Sequence, residues 1–389
     1  MKTLHREVLG YLHEHARSMT DFLERLALAE SPTARPESQG TVLGILAGAI
    51  AGLGYDVRRI PGREYGGHLY ARPREGRGPA QLLLGHCDTV WPVGTVKEMP
   101  VEVGDGVVKG PGVYDMKGGL AQMVFALRAI HEVDHKPTVT PIILVNSDEE
   151  RGSPESTHHI RRLSRIAERT FVMEPSLGLS GKLKTARKGV GRFTVVVEGR
   201  PAHAGLDPEG GASAILELSY LIQALFDLND PARGITVNVG TIDGGLSPNV
   251  VAPKSSAVVD VRVPTHEDAR RIAESILGLT PATPGVKLRV EGSIGRPPME
   301  RTSRNRSLWN TARRLGKEMG LGLDEGLAGG GSDGNTTSLF TATVDGLGAV
   351  GDGAHSRHEF VLADKMVERA ALLALLLMEP PLAENRSEQ

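Results

Sequence analysis

Apolar residues recur three and four positions apart through residues 1–30, and this spacing predicts an amphipathic helix. The apolar segment Thr41–Leu53, closed by Gly54, predicts a second helix. Strand-like runs and helical patterns then alternate. They are predicted strands at 56–60, 68–72, 81–85, 141–146 and 170–173 and predicted helices at 118–130 and from about residue 153. Such alternation is typical of an α/β fold with a mixed, largely parallel central sheet flanked by helices.

The rhythm changes near residue 191, where the predicted elements follow the order β-α-β-β-α-β of a ferredoxin-like unit. Gly295–Pro298 predicts the return to the first domain. We therefore predict a discontinuous catalytic domain, 1–190 and 299–389, and an inserted ferredoxin-like α+β lid or dimerisation domain, 191–298. The remaining predicted elements are a helix at 304–319, a loop at 329–331, a strand at 345–350 and a closing helix at 364–377.

Polar side chains follow the predicted buried strands. His86 and Asp88 end the run Leu82–Asp88, and residues two apart in a strand point to the same side. A carboxylate beside an imidazole is how proteins hold a metal ligand or a base. Function gathers at the carboxyl ends of parallel strands, so we expect these side chains on one rim. The other candidates are Asp115, Asp148, Glu149, Glu150, Glu174 and His355.

The donor set predicts a metal site. Two histidines and several carboxylates, without a thiolate, suit zinc or another divalent ion such as cobalt or manganese. The number of donors permits two ions per chain, each with one histidine and one terminal carboxylate, that share a bridging carboxylate. Paired ions of this kind activate a shared water molecule.

Several segments together resemble the M20 metallopeptidases. They are Gly85–Val90, Gly110–Gly119, Asp148–Ser153, Met173–Pro175, Pro201–Gly205, Gly329–Asp333 and Ala354–Ser356. The likeness runs from about residue 30 to 380 with the segments in the family's order. It is strongest to the glutamate carboxypeptidase branch, which is carboxypeptidase G2-like.

The resemblance implies a role for each site residue. The implied ligands are His86 and Glu174 for one zinc ion, Glu150 and His355 for the other, and Asp115 as the bridge. Glu149 would be the general base that takes a proton from the bridging water and passes it to the leaving amine. Asp88 would orient His86. The family also implies a homodimer formed through the lid, in which His203 reaches the partner's active site and stabilises the oxyanion.

Substrate recognition depends on a free carboxylate, which arginine binds through two parallel hydrogen bonds. Arg262 matches the family's substrate-carboxylate arginine, and Asn249 matches an asparagine beside the substrate. Gly330 lies in a glycine loop whose N–H groups could bind substrate. The alternatives are a plain strand charge at Arg262, a turn role at Asn249 and a merely flexible loop at Gly330. The basic residues of 182–188 could bind an acidic side chain or simply be solvated.

Two further segments match known motifs but lack the structural context that those motifs require. His131–His135 spells the H-E-x-x-H zinc-protease pattern, but Pro137 predicts that the helix ends at once, so the histidines would not share a helical face. Gly346–Gly351 spells G-x-G-x-x-G, but it leads to His355 rather than into a helix, which excludes a phosphate-binding turn.

Composition sets the remaining limits. A chain of 389 residues is long for one core, which predicts two domains. A net charge of −2 without a basic run excludes nucleic acid as the expected partner. The single cysteine, Cys87, cannot form an internal disulfide. Neither a signal peptide nor an apolar stretch of membrane length is found, so we expect a cytoplasmic protein without membrane contact.

The predicted function is hydrolysis of an amide bond adjacent to a free carboxylate. We expect a C-terminal exopeptidase of the glutamate carboxypeptidase type that acts on a short peptide or an N-acyl amino acid. An N-acyl-amino-acid deacylase of the acetylornithine or succinyl-diaminopimelate type is the alternative. A non-catalytic binding protein on the same fold is disfavoured because the sequence retains every implied ligand and the base.

Overall fold

The structure is a computed structural model that describes residues 2–76 and 78–382. The α-helices are α1 Lys2–Glu14, α2 Ala16–Leu28, α3 Gln39–Ala51, α4 Thr95–Glu98, α5 Gly118–Glu132, α6 Thr157–Ile166, α7 Ala214–Phe226, α8 His266–Leu277, α9 Ser303–Glu318, α10 Asp333–Thr337 and α11 Ala363–Met378. The strands are β1 Tyr55–Ile60, β2 His68–Pro73, β3 Ala80–His86, β4 Glu102–Gly104, β5 Val107–Lys109, β6 Thr140–Asn146, β7 Ala167–Val172, β8 Leu183–Arg187, β9 Gly189–Glu198, β10 Thr236–Gly244, β11 Lys254–Val263, β12 Lys287–Arg296, β13 Glu325–Ala328, β14 Ala342–Val344, β15 Gly351–Asp352 and β16 Phe360–Leu362.

The chain divides into two compact units. The first unit comprises the residues up to Thr185, the segment Arg301–Leu327 and the residues from Ser332 onward. The second unit comprises Ala186–Glu300 and Ala328–Gly331. Of the predicted catalytic domain, Met1, Arg77 and residues 383–389 lie outside the described residues.

The first unit contains a six-stranded sheet in the order β1-β2-β6-β3-β7-β14. Strands β6, β3, β7 and β14 are parallel, and the antiparallel pair β1 and β2 forms one edge. Successive side chains of a strand point to opposite faces. Leu83 therefore joins the large core cluster on one face, whereas Leu82 and Leu84 join the smaller cluster on the other. Burial on both faces explains the continuous apolar run, and the predicted α/β fold with a largely parallel sheet is confirmed.

The second unit is a four-stranded antiparallel sheet in the order β10-β11-β9-β12. Its elements follow the chain order β9-α7-β10-β11-α8-β12, which confirms the predicted ferredoxin-like arrangement. Burial alternates along β9 and β11, where Val195 and Val259 are fully buried. These side chains form one core with Leu221 of α7 and Ile272 of α8.

Two predictions of local structure are wrong. The first thirty residues form two helices, because His15 leaves helical geometry with φ −102° and ψ 11°. Residues 345–350 are not a strand. They approach the chain after β7 so closely that a Cβ on Gly348 would lie 2.2 Å from the Met173 carbonyl oxygen. The spacing of apolar residues predicts neither the helix break at His15 nor the close approach at Gly348.

The prediction that the H-E-x-x-H segment, His131–His135, does not continue as a helix is confirmed. Helix α5 ends at Glu132, and Asp134 has a φ of +48°, so His131 and His135 do not lie on one continuous helix. In the part of the chain that the structure describes, none of the helices combines the length and apolarity needed to cross a bilayer.

Candidate active site

The candidate site lies where three adjacent parallel strands, β6, β3 and β7, end side by side. His86 is the last residue of β3 and pairs in register with Asn146, the last residue of β6. Leu84 pairs with Val172, the last residue of β7, so Glu174 follows two residues beyond that strand. A short 3-10 turn at Glu149–Arg151 follows β6. The strand ends therefore bring together side chains from distant parts of the sequence, as expected of a parallel sheet.

The Asp115 carboxylate lies between the two histidines. Its Oδ1 is 3.3 Å from His86 Nε2, and its Oδ2 is 3.5 Å from His355 Nε2. Each imidazole also has a carboxylate of its own: Glu174 Oε1 lies 3.5 Å from His86 Nε2, and Glu150 Oε2 lies 3.1 Å from His355 Nε2. The arrangement is two imidazole–carboxylate pairs joined by one shared carboxylate.

The orientation of His86 is set on its other ring nitrogen. Nδ1 lies 2.9 Å from the main-chain carbonyl oxygen of Asp88 and 3.4 Å from its Oδ1. A carbonyl oxygen only accepts hydrogen bonds, so the shorter contact requires the proton on Nδ1. Nε2 is therefore the nitrogen that faces Asp115 and Glu174, and on a neutral ring its lone pair would be available there to a metal ion.

The Asp88 side chain also holds the turn that carries Glu149 and Glu150. It is fully buried and accepts hydrogen bonds from the backbone N–H groups of Glu149, at 3.3 Å, and Glu150, at 3.2 Å. Thr33 Oγ1 donates to the same carboxylate at 2.8 Å. Asp88 therefore ties the turn that carries both glutamates to the end of the strand that carries His86.

Burial and neighbouring carboxylates shift the titration of the site. Burial lowers the pKa of His86, but the carboxylates of Asp115, Asp88 and Glu174 outweigh burial and raise it well above its ordinary value. The contact with Glu150 raises the pKa of His355 to about 9. Burial raises the pKa of Glu150. The neighbouring carboxylates therefore favour a positive charge on both imidazoles.

The side chains fit a divalent metal. Oδ1 of Asp115 is buried and accepts no hydrogen bond of acceptable geometry from the described residues. Ligand atoms of His86, Asp115 and Glu150 lie within 4.8 Å of one another, and so do those of His86, Glu149 and Glu174. Imidazole nitrogen and carboxylate oxygen are the donors that zinc and related ions accept. A bound cation would satisfy both the orphaned oxygen and the clustered negative charge.

A buried polar network supports the 149–151 turn from behind. Asp333, the first residue of α10, accepts hydrogen bonds from Ser153 Oγ and, at 2.7 Å, from Asn146 Nδ2. Asp148 Oδ2 accepts the backbone N–H groups of Glu155 and Ser156. In the sequence, Asp333 stands out only as the last residue of the motif Gly329–Asp333. Its role in this network depends on contacts that span 180 positions of the chain.

Glu359 was not predicted from the sequence. This side chain is 1% exposed and accepts hydrogen bonds from the loop that carries Asp115. It stands four residues after His355, within a stretch of polar residues that shows no periodic pattern.

The other candidate residues lie in the second unit. Nδ1 of the exposed His203 accepts from the backbone N–H groups of Gly205 and Leu206, which leaves the opposite edge of the ring facing away from this turn. Asn249 is exposed. Its main-chain carbonyl oxygen accepts the N–H of Ala204 at 3.0 Å, and its side-chain Oδ1 accepts a hydrogen bond from Ser247 Oγ. His203 and Asn249 therefore belong to neighbouring loops.

Arg262 and Gly330 also belong to the second unit. Arg262 donates to Asp260 through Nε at 2.8 Å and through Nη2 at 3.1 Å, and its side chain is 33% exposed. The Gly330 carbonyl oxygen accepts a hydrogen bond from Arg187 Nη1 at 3.1 Å. The guanidinium of Arg262 thus holds the Asp260 carboxylate through two parallel hydrogen bonds.

Known proteins share this sequence and this fold. Residues 82–379 match the model of Peptidase family M20/M25/M40. Carboxypeptidase G2 of Pseudomonas sp. (strain RS-16) is 28% identical over 92% of this chain and 88% of its own length. A succinyl-diaminopimelate desuccinylase of Granulibacter bethesdensis is 27% identical over 90% of this chain and 95% of its own. The solved YXEP protein of Bacillus subtilis, described as a dinuclear metal binding peptidase, has a TM-score of 0.68 at 12% identity over 94% of this chain and 98% of its own.

Fold, site and relatives together define a metal-dependent hydrolase. More particularly, the chain belongs to Peptidase family M20/M25/M40, as its motifs led us to expect.

Proposed function

We propose that the protein is a carboxypeptidase that holds two divalent ions, of which zinc suits the donors best. The observation that carries the proposal is the position of Asp115, with one oxygen toward His86 and the other toward His355. In this proposal Asp115 would be shared by the two ions, His86 and Glu174 would hold one of them, and Glu150 and His355 would hold the other. Bound ions of this kind polarise the scissile carbonyl and lower the pKa of water.

Glu149 is the proposed general base. Its carboxylate lies within 4.8 Å of ligand atoms of His86 and Glu174, and Asp88 holds its backbone N–H. From this position Glu149 takes a proton from the attacking water and delivers it to the amine that leaves. Its neighbour Glu150 faces His355 instead, so the turn separates a base from a ligand in two consecutive residues.

Arg262 is the proposed anchor for the substrate's free carboxylate, with Asn249 and the Gly330 loop as further substrate contacts. Arginine and carboxylate form two parallel hydrogen bonds, and Asp260 already makes such a pair with Arg262. Substrate would therefore compete with Asp260 for the guanidinium. The similarity to a carboxypeptidase over most of the chain favours this reading of the reaction.

A substrate panel tests the proposal. We expect turnover of short peptides and N-acyl amino acids that end in a free carboxylate, and loss of turnover when that carboxylate is amidated. Replacing Arg262 with Ala should raise KM for the free acids by about 10- to 100-fold, because a charge-assisted pair contributes about 1.5–3 kcal/mol. The same substitution at Arg289, which pairs with Glu291 on the exposed β12, is the matched control. Equal turnover of amide and acid would contradict the proposal.

Deacylation of N-acyl amino acids is the second candidate, favoured by the similarity to a desuccinylase over 90% of the chain. The same metal site can cleave either amide, so the panel must vary the acyl group as well as the C-terminal residue. Turnover of acetylated or succinylated amino acids alone, without turnover of dipeptides, would replace the carboxypeptidase proposal with this one.

A second copy of this chain is the proposed partner, bound through the second unit acting as the lid domain. Strand β10 forms one edge of its sheet, and unpaired edges invite another strand. Ile242 on this strand is 67% exposed and Leu246 just beyond it 78% exposed, while Tyr220 of α7 is 47% exposed. Apolar groups so near an open edge favour a protein interface.

Oligomeric state tests this proposal. We expect a dimer in sedimentation at micromolar concentration and a monomer after Ile242→Glu, because a buried charge at the edge opposes association. Ile166→Glu, at a residue 60% exposed in the first unit, should remain dimeric. A wild-type monomer would contradict the proposal.

The same dimer would allow His203 to act in the partner's site. Co-expression of the Glu149→Gln chain with the His203→Ala chain should then restore turnover that neither variant has alone, because the mixed dimer contains one complete site. Absence of recovery in an isolated mixed dimer would refute that role.

A further inference from the structure

One buried carboxylate receives hydrogen bonds from three neighbouring positions of the loop that carries Asp115. Oε1 of Glu359 accepts the backbone N–H groups of Tyr114, at 2.9 Å, and Asp115, at 3.0 Å. Oε2 accepts the backbone N–H of Gly112, at 2.9 Å, and Trp91 Nε1, also at 2.9 Å. An ionised carboxylate offers about four lone-pair sites, so the four donors use its full accepting capacity.

The backbone of Glu359 is itself fixed. Strand β16 begins with the next residue, Phe360, which pairs in register with Lys109 of β5. The main-chain carbonyl oxygen of Glu359 accepts the N–H of Gly110 at 3.3 Å, and its N–H donates to Ser356 at 3.1 Å. The side chain therefore projects from a rigid strand end into the loop before Asp115.

The same residue connects both halves of the shared-carboxylate arrangement. His355 lies four residues before Glu359, in a turn whose N–H groups bond back to Gly353 and Ser356. Asp115 donates its own N–H to Glu359 and presents its carboxylate to both imidazoles. A displacement of Glu359 would thus move the Asp115 carboxylate relative to His355.

We propose that Glu359 is a positioning residue that holds the Asp115 loop in its metal-binding conformation before metal arrives. The inference rests on the proposed metal centre, because it requires Asp115 to be a ligand. It goes beyond that proposal in assigning the preorganisation to one carboxylate that does not itself touch the metal. Groups that support a ligand from behind alter metal affinity by about 10- to 100-fold when they are removed.

Glu359→Gln is the sharpest substitution. The amide keeps the size of the side chain, but its NH₂ group would point at two of the four N–H donors, which it cannot accept. We expect the zinc dissociation constant, measured by competition with a chelating dye, to rise about 10- to 100-fold. Turnover lost at low zinc should return as zinc is raised. A role in stability alone would lower the melting temperature and leave zinc affinity unchanged, and that result would overturn the proposal.

Two variants separate the loop contacts from burial and charge. Trp91→Phe removes the one donor that does not belong to the loop, so zinc affinity should change by less than about threefold. Glu102→Gln makes the same chemical change at an exposed position of β4, in the same small sheet as β16, and should have no effect. An equal loss of affinity in Glu102→Gln and Glu359→Gln would overturn the proposal.

Hydrogen exchange of the metal-free wild-type chain provides a test that needs no variant. The amide protons of Gly112, Tyr114 and Asp115 should be protected without metal, because Glu359 already accepts them. Rapid exchange that slows only when zinc is added would overturn the preorganisation. Failure of the wild type to bind zinc would instead refute the proposed metal centre. Equal zinc affinity of wild type and Glu359→Gln would refute only the role of Glu359.

Discussion

Replacing Glu149 with Gln is expected to abolish turnover while leaving the metal content of the protein unchanged. The amide keeps the shape of the side chain but cannot take a proton at neutral pH. General-base catalysis contributes about 10²–10⁴-fold, so kcat should fall by at least that factor, measured on any substrate that the wild type cleaves. The turn itself should persist, because Asp88 bonds to the backbone N–H of Glu149 rather than to its side chain.

The matched control is Glu75→Gln. Glu75 is 91% exposed and forms a surface ion pair with Lys136, so activity should remain within error of the wild type. Undiminished turnover in Glu149→Gln would reject Glu149 as the base. A non-catalytic binding role for this turn would then remain possible. Full loss of turnover with intact metal content would exclude that role.

Replacing Asp115 with Asn is expected to cause the second large loss. Asparagine offers one accepting oxygen instead of two, and its NH₂ group would face one of the two imidazole nitrogens that Asp115 now separates. We expect fewer than two ions per chain after dialysis. Activity should fall by more than the roughly 10- to 100-fold typical of losing a residue that only supports a ligand.

Asp105→Asn provides the control for this substitution. Asp105 is an exposed turn residue with a φ of +50°, a conformation that asparagine adopts as readily as aspartate. Metal content and activity should both be retained. If Asp115→Asn still bound two ions with wild-type affinity, Asp115 could not be the bridge.

The rim of the site was predictable because its cause is local. An apolar run that ends on His86 predicts a buried strand, and parallel strands of a layered fold gather their carboxyl ends at one edge. The same reasoning applies to Glu149 and Glu174, each of which follows such a run. The prediction needed only the sequence of each strand and one rule about the sheet.

The support around the site was not predictable in this way. Glu359 acts on a loop about 245 positions earlier, and Asp333 bonds to Ser153, 180 positions earlier. No periodic pattern or motif spacing predicts the role of either carboxylate, because its hydrogen-bond partners are distant in the sequence and become neighbours only in the folded chain. The close approach at Gly348 is similar: it depends on a neighbouring carbonyl that the local pattern does not contain. Local patterns predict elements and strand ends, whereas buried polar contacts require the tertiary structure.

Zinc titration of the metal-stripped wild-type protein tests metal-dependent hydrolysis at this site most directly. Bound zinc per chain and turnover of a dipeptide with a free C-terminal carboxylate would be measured in the same samples. We predict no turnover without metal and a plateau of activity when two ions are bound per chain. Full turnover by the metal-free protein, or a plateau at one ion per chain, would contradict the proposed two-ion centre.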